Sequence, residues 1–108
     1  MDVEGFVSCF APDGVTHDPV GTPCSAGHDA IRGFITHIFS AFDIIGLTED
    51  AVFVSGNSAA VKWTGKGIAK NGNRVTFEGI DVIDCNDEGK IVLVRAFWNP
   101  GPVFAAIG

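Results

Sequence analysis

The second half of the chain is a run of four long segments with the apolar, alternating character of β-strands, separated by only three or four residues. The segments are residues 43–54, 58–69, 74–85 and 90–98. The gaps contain Gly56-Asn57, Asn71-Gly72 and Asn86-Asp87-Glu88-Gly89. These residues favour tight turns, and connections this short join strands that run antiparallel. The sequence therefore predicts one antiparallel sheet that takes up half of the chain.

The first half of the chain predicts two helices. Over residues 28–42, apolar residues recur at i, i+3, i+4, i+7, i+8 and i+11, which places them on one helix face: Ile31, Phe34, Ile35, Ile38, Phe39 and Phe42. A shorter helix over residues 3–10 is expected to end before the turn signal at residues 11–14. A strand over residues 15–18 and a loop over residues 19–27 follow. We expect a single α+β domain over residues 1–108, with the helices on the concave side of a strongly curved sheet.

Composition excludes several classes of protein. The chain has 13 acidic and 7 basic residues, so a surface that tracks nucleic-acid phosphates is not expected. No apolar run approaches the length of a transmembrane helix, and the N-terminus lacks the pattern of a signal peptide. The three cysteines have no CxxC spacing, which predicts reduced thiols in a cytoplasmic protein. No metal or other cofactor is expected.

Asp81 lies on the apolar side of its predicted strand. Successive strand residues point to opposite faces, so Asp81 shares a face with Phe77 and Ile83. Burial there would raise its pKa and favour the neutral acid, which can donate a hydrogen bond to a developing oxyanion. The alternative is a structural aspartate that pairs with Arg95 or Arg32, or that a bulge turns outward.

Asp18 precedes Pro19 and a loop rich in glycine and proline. Proline restricts the residue before it to an extended backbone, which holds the Asp18 carboxylate in place. This position suits a general base at the rim of a cavity. The alternative is an ordinary turn, since Asp-Pro commonly begins one.

The last predicted strand is largely apolar on both faces, with Val92, Val94, Ala96 and Trp98 on one face and Ile91, Leu93, Arg95 and Phe97 on the other. One face is expected to border a ligand cavity, and the other to meet the core or a second copy of the chain in a homodimer. The expected ligand-binding residues are Phe34, Ile38, Phe77, Ile83, Val94, Ala96 and Trp98.

Several short motifs follow one another along the chain. They are Cys9-Phe10-Ala11-Pro12-Asp13-Gly14, Asp18-Pro19-Val20-Gly21, Gly27 with Ala30-Ile31-Arg32, Gly79-Ile80-Asp81, Gly89-Lys90-Ile91 and Arg95-Ala96-Phe97-Trp98. Together they resemble the ketosteroid isomerases, which belong to the NTF2-like superfamily with the SnoaL-like polyketide cyclases. The resemblance runs from about residue 3 to residue 100. It implies a cone formed by a curved antiparallel sheet and three helices around an apolar pocket.

The resemblance also implies roles for both aspartates. The family's base, which takes a proton from the carbon next to a ketone, matches Asp18, and its protonated oxyanion donor matches Asp81. Ketosteroid isomerase is itself the standard example of an aspartate kept neutral by an apolar site. The family's second oxyanion donor is a tyrosine on a first helix, about twenty residues before the position of Phe10. This chain begins nine residues before Phe10 and contains no tyrosine, so the N-terminal helix is expected to be shortened.

A steroid delta-isomerase-like enzyme is therefore the favoured function, with Asp18 as general base and protonated Asp81 as oxyanion donor. Two alternatives stay open: a SnoaL-like cyclase that uses Asp81 on a polyketide-derived ester, and a non-catalytic domain that binds hydrophobic ligands. The expected partner is a small apolar ligand, a steroid-like or polyketide-like ketone, with no nucleic acid or membrane.

Overall fold

The computed structural model describes residues 1–108 as a six-stranded sheet with three helices. The strands are β1 (Phe10–His17), β2 (Ser25–Ala26), β3 (Phe42–Ser55), β4 (Ser58–Ala69), β5 (Arg74–Cys85) and β6 (Ile91–Trp98). The helices are α1 (Val3–Ser8), α2 (His28–Ser40) and α3 (Gly101–Ile107). The strand order is β2-β1-β6-β5-β4-β3. All neighbouring strands run antiparallel except β1 and β6, which are parallel.

The predicted α+β class and the four long strands are confirmed. β4 and β5 have the predicted bounds. β3 is one residue longer at each end than predicted, and β6 begins one residue later. Two register shifts in β3, between Phe42 and Ile44 and between Glu49 and Ala51, interrupt its pairing with β4. Such irregularities bend a strand and increase its twist, so they help to curve the sheet around its concave face.

The turn predicted at residues 11–14 is wrong, because these residues belong to β1. Their turn character is absorbed by an irregularity in the sheet: Phe10 pairs with Ile91, whereas Val15 pairs with Leu93. Between these two pairs β1 moves forward by five residues and β6 by only two. A bulge of this kind accommodates turn-forming residues without ending the strand.

The predicted helix bounds also need correction. α1 ends at Ser8 rather than residue 10, and α2 ends at Ser40 rather than residue 42. Phe42 therefore begins β3, although it is as fully buried as a helical position on the apolar stripe would be. Because burial satisfies the apolar pattern in either conformation, the pattern could not locate the boundary. The sequence interpretation also did not include α3, which has a proline in its first turn and buries Val103.

Two clusters of buried side chains form the core. One joins α1, β1, α2 and β6 through Val7, Phe10, Ile31 and Val94. The other joins β3, β4, β5 and α3 through Phe42, Ala69, Val75 and Val103. Residues that pack against each cluster, such as Phe6 on one side and Phe77 on the other, also line one cavity. The cavity therefore lies between the two parts of the core.

None of the three helices has the length and hydropathy needed to cross a membrane.

Candidate active site

The cavity has a volume of about 290 Å³, and twelve of its 16 lining residues are hydrophobic. The hydrophobic members are Met1, Phe6, Phe34, Ile35, Ile38, Phe39, Ile45, Leu47, Trp63, Phe77, Trp98 and Val103. The other four are Asp2, Asp18, Gly46 and Asp81. A mostly apolar cavity with a few convergent polar groups is typical of a small-molecule site. The polar side-chain groups in this wall are three carboxyl groups and two indole N–H groups.

Asp18 follows the last residue of β1 and is half-buried in this cavity. The Nε1–H of Trp98 donates a hydrogen bond of 2.6 Å to its Oδ1. Burial raises the pKa of Asp18, while the hydrogen bond from Trp98 acts in the opposite direction because it stabilises the ionised form. The result is a carboxyl group with a raised pKa and a fixed orientation.

Asp81 lies on β5 in an equivalent environment. The Nε1–H of Trp63 donates a hydrogen bond of 2.9 Å to its Oδ1. Burial raises the pKa of Asp81, the bond from Trp63 lowers it, and the negative charge of Asp18 raises it further. The charge of Asp18 thus opposes ionisation of Asp81, which favours a pair with one ionised and one protonated member.

Both structural alternatives for Asp81 are excluded. Arg95 is exposed, and Arg32 instead forms ion pairs with Glu4 and Asp29. The register of β5 with both of its neighbours is continuous at Asp81, so no bulge turns the side chain away from the cavity.

The sheet register sets the spacing of the two aspartates. Asp81 pairs with Ala96 on β6, and the parallel register of β1 with β6, continued by one residue from His17, places Asp18 on the other side of Ala96. The backbone bond from Val20 N–H to the Ala96 carbonyl oxygen, 2.8 Å long, supports this alignment. One strand separates the two residues, so their backbones lie about 10 Å apart. A substrate between them can exchange protons with both.

An aromatic cluster lies beside the aspartates and orients both indole rings. The ring centroids of Trp63, Phe77 and Trp98 are 5.5–6.2 Å apart. Gly79 pairs with Trp63 on one side and with Trp98 on the other. A Cβ atom at residue 79 would lie 2.6 Å from Cζ2 of Trp63 and 2.7 Å from Cβ of Trp98. The absence of a side chain at Gly79 therefore makes room for two neighbouring indoles.

The structure brings six of the nine residues expected at the site together around the cavity: Asp18, Asp81, Phe34, Ile38, Phe77 and Trp98. The other three, Ile83, Val94 and Ala96, do not line it. Val94 belongs to the first core cluster and Ile83 packs against it, because α1 and α2 cover that end of the sheet. Ala96 is buried between the strands that carry the aspartates. The expectation that these three border the cavity is corrected.

Sequence reasoning missed Trp63 and the β3 segment 45–47. A signal for Trp63 was present, since the antiparallel register set by the Asn71-Gly72 turn pairs Val61 with Asp81. Trp63, two residues further along β4, then lies diagonal to Asp81 on the same face, within reach of a long side chain. No comparable signal locates segment 45–47, because the position of β3 depends on its two register shifts.

Comparison with known proteins places this geometry in context. The family model for the SnoaL-like domain matches residues 1–94. Among solved structures, the epoxide hydrolase/cyclase-like enzyme SalBIII, described by its role in pyran ring formation in the polyether salinomycin, is 26% identical with a TM-score of 0.82. The alignment covers 94% of this chain and 81% of SalBIII.

Two further structures are similar in fold. An NTF2-like protein of unknown function from Burkholderia pseudomallei K96243 is 24% identical with a TM-score of 0.83, over 98% of this chain and 85% of that chain. A putative SnoaL-like polyketide cyclase from Jannaschia sp. CCS1 is 17% identical with a TM-score of 0.82, over 97% and 77% of the two chains. At these identities the similarity establishes the NTF2-like fold.

Proposed function

The chain belongs to the SnoaL-like family, and from this premise we propose that it is an acid–base enzyme in which Asp18 is the general base and protonated Asp81 the general acid. Its substrate is a small, mainly apolar molecule that carries a reactive oxygen. The observation that carries the proposal is the pair of half-buried carboxyl groups in one apolar cavity, each bonded to a different indole N–H.

The surroundings of the two aspartates support this division of roles. Asp18 accepts the shorter indole hydrogen bond, 2.6 Å against 2.9 Å, which favours its ionised form. Asp81 carries the additional opposition of the Asp18 charge, which favours its protonated form. Two carboxyl groups whose environments differ in this way can act as base and acid in one step. Asp18 takes a proton from the substrate while Asp81 gives its own proton to a substrate oxygen.

We infer that the reaction is an intramolecular ring closure of a polyketide-type substrate. Asp18 removes the proton from an internal nucleophile, a hydroxyl group or an acidic carbon, as that nucleophile attacks an electrophilic carbon. If the electrophilic carbon carries a C–O single bond, that bond breaks; if it is a carbonyl carbon, the π bond of the C=O group breaks. In both cases the electron pair moves to the oxygen, and Asp81 protonates it. The 26% identity with SalBIII over nearly the whole chain favours this reaction.

Steroid delta-isomerisation is the second candidate, and the motifs around Asp18 and Asp81 favour it. In that reaction Asp18 takes a proton next to a ketone and returns it two carbons along, while Asp81 donates a hydrogen bond to the enolate oxygen. Both indole N–H groups are already bonded to the aspartates, so Asp81 is the single donor that the cavity wall offers to the oxygen. A site with one donor instead of two is expected to be slower by about 10²–10³.

Turnover of two substrate types tests the proposal. In one assay the substrate is a hydroxy-epoxide that can close to a cyclic ether, and mass-resolved chromatography monitors the product. In the other the substrate is a Δ5-3-ketosteroid, and the absorbance of the conjugated enone monitors the product. Asp18→Asn and Asp81→Asn are each expected to lower kcat by at least about 10². Exposed Asp13, changed to Asn, is the matched control with the same loss of charge and unchanged activity.

If Asp18→Asn and Asp81→Asn turn substrate over as fast as the unmodified protein, the assigned roles are wrong. If ligands bind but neither reaction occurs, the domain is a binding module rather than an enzyme.

We also propose that the chain forms a homodimer through the face of the sheet opposite the cavity. Ile80 and Phe97 pair across β5 and β6 on that face and are 44% and 46% exposed, and Phe53 is 72% exposed on the same face. An exposed apolar surface of this kind is typical of a contact between subunits. Light scattering at micromolar concentration is expected to give twice the chain mass, and Phe97→Ser to give a monomer. A monomeric unmodified chain would contradict the proposal.

A further inference from the structure

The basic side chains of this protein are all kept out of the cavity. The chain has seven lysines and arginines, and none of them lines the cavity wall, nor does any of the three histidines. Arg32 is paired with Glu4, Lys62 with Asp50 and Lys70 with Asp43. These ion pairs hold positive charge on the outside of α2, on β4 and in the turn that follows β4.

The cavity wall is correspondingly acidic. It contains Asp2, Asp18 and Asp81 and no basic side chain to balance them. Asp2 already serves as the N-cap of α1, where its Oδ1 accepts the Gly5 N–H at 3.0 Å. Asp18 and Asp81 have indole N–H groups as their partners, and an indole is a neutral donor. An ionised Asp18 or Asp81 therefore has a hydrogen bond from an indole but no basic side chain as a counter-ion.

An ammonium group fits the remaining capacity of Asp18. Its Oδ1 is occupied by the indole of Trp98, which leaves Oδ2 free to accept a hydrogen bond from a ligand. A charged donor on a charged acceptor forms a stronger bond than a neutral pair does. Trp98 and Phe77 line the same part of the cavity, and aromatic rings attract ammonium ions. An anion would find no basic side chain there, and beside Asp18 it would meet a like charge.

We propose that the cavity selects its ligands by charge, and that it binds an apolar organic amine, as the ammonium ion against Asp18, more tightly than the neutral isostere, while it excludes the corresponding anion. This inference deepens the proposed function, because it concerns the same cavity and the same carboxyl groups.

Calorimetric titration with three naphthalene derivatives of similar shape tests the proposal. The ligands are 2-naphthylmethylamine, 2-acetylnaphthalene and 2-naphthoate, which are a cation, a neutral ketone and an anion at neutral pH. The amine is expected to bind at least about tenfold more tightly than the ketone, and the naphthoate at least about tenfold more weakly than the ketone. The comparison uses the unmodified protein, so it does not depend on the folding of a variant.

Two variants then locate the preference. Asp18→Asn, which keeps the shape of the side chain, is expected to make amine and ketone bind equally, whereas Asp13→Asn, with the same change in net charge, is expected to keep the full preference. High salt screens the net charge of −6 at long range but much less so a contact in the cavity, so the preference is expected to persist there.

The outcomes separate this inference from the proposed function. Equal affinities for ketone and naphthoate, or an amine preference that survives Asp18→Asn, would overturn charge selection and leave the acid–base assignment standing. Failure of all three ligands to bind would overturn both.

Discussion

One methyl group added at Gly79 would displace the two indoles that hold the aspartates. A Cβ atom there would lie 2.6 Å from both the Phe97 carbonyl oxygen and Cζ2 of Trp63, and 2.7 Å from Cβ of Trp98. The first and last of these are backbone or directly attached to it, so no side-chain rotation relieves them. Gly79→Ala must therefore move β5 away from β6, and it must also displace the Trp63 ring.

The size of the effect follows from two opposing contributions. Overpacking in a closely packed region costs about 1–3 kcal/mol. Replacing glycine by alanine also restricts the unfolded chain, which returns about 0.4–1 kcal/mol. We expect a net loss of about 1–2 kcal/mol. In a domain of this size, 1 kcal/mol corresponds to about 4–8 °C, so Tm should fall by roughly 5–15 °C.

Thermal unfolding followed by tryptophan fluorescence and near-ultraviolet circular dichroism measures both consequences. Trp63 and Trp98 are the only tryptophans and the chain has no tyrosine, so these signals report the two site indoles. Gly33→Ala is the matched control, because a Cβ at this helical glycine meets nothing within 4 Å. It should raise stability by up to about 1 kcal/mol with unchanged indole signals. If Gly79→Ala melts at the temperature of the unmodified protein with unchanged tryptophan spectra, the reasoning is refuted.

Three further predictions concern the cavity. Trp98→Phe removes the donor that stabilises ionised Asp18, so the pKa of Asp18 should rise; an NMR titration of the carboxyl carbons measures this, and an unchanged titration contradicts it. Burial raises the pKa of Asp81, so the folded state binds that proton more tightly than the unfolded state and loses this stability as pH rises above the unfolded pKa of about 3.9. In urea, Asp81→Asn should therefore have a higher free energy of unfolding than the unmodified protein at pH 7 but not at pH 3. The same difference in free energy of unfolding at both pH values would argue against a buried acid. Leu47→Ala should weaken binding of 2-acetylnaphthalene with little change in Tm, because Leu47 lines the cavity and is 57% exposed, so it offers apolar surface to a ligand but adds little to the core; unchanged affinity would place the ligand elsewhere.

The long strands were predictable because two local signals agree in them. Turn residues mark the ends of β4 and β5, and period-two alternation fills the residues between. The same signals gave wrong predictions where residues of one local pattern belong to a different element in the tertiary structure. Phe42 continues the helical stripe in sequence but lies in β3, and the turn residues of segment 11–14 are taken up by the irregular pairing of β1 with β6. The local pattern predicts which residues are buried and where the chain bends. Whether a helix, a strand or a turn meets that requirement depends on how the sheet pairs.

The sequence predicted the two aspartates of the candidate site, but it did not predict the hydrogen-bond donor of Asp81, Trp63. Asp81 could be placed from its strand face alone, since one strand's alternation is enough for that. Its partner Trp63 required the register of a second strand. The same holds for Ala96, which was expected in the cavity wall but is instead the residue that separates the two aspartates.

Burial and hydrogen bonding act against each other on the pKa of both aspartates, and in the proposed reaction this opposition would let one act as acid and the other as base. Burial alone would hold Asp18 and Asp81 as neutral acids, and neither could then accept a proton. A buried arginine would have the reverse effect and hold them ionised. A neutral indole donor lies between these extremes, because it stabilises the carboxylate without supplying a charge. Replacing either tryptophan by phenylalanine should therefore affect the step that its own aspartate performs: Trp98→Phe the removal of a proton by Asp18, and Trp63→Phe the balance of protonation at Asp81.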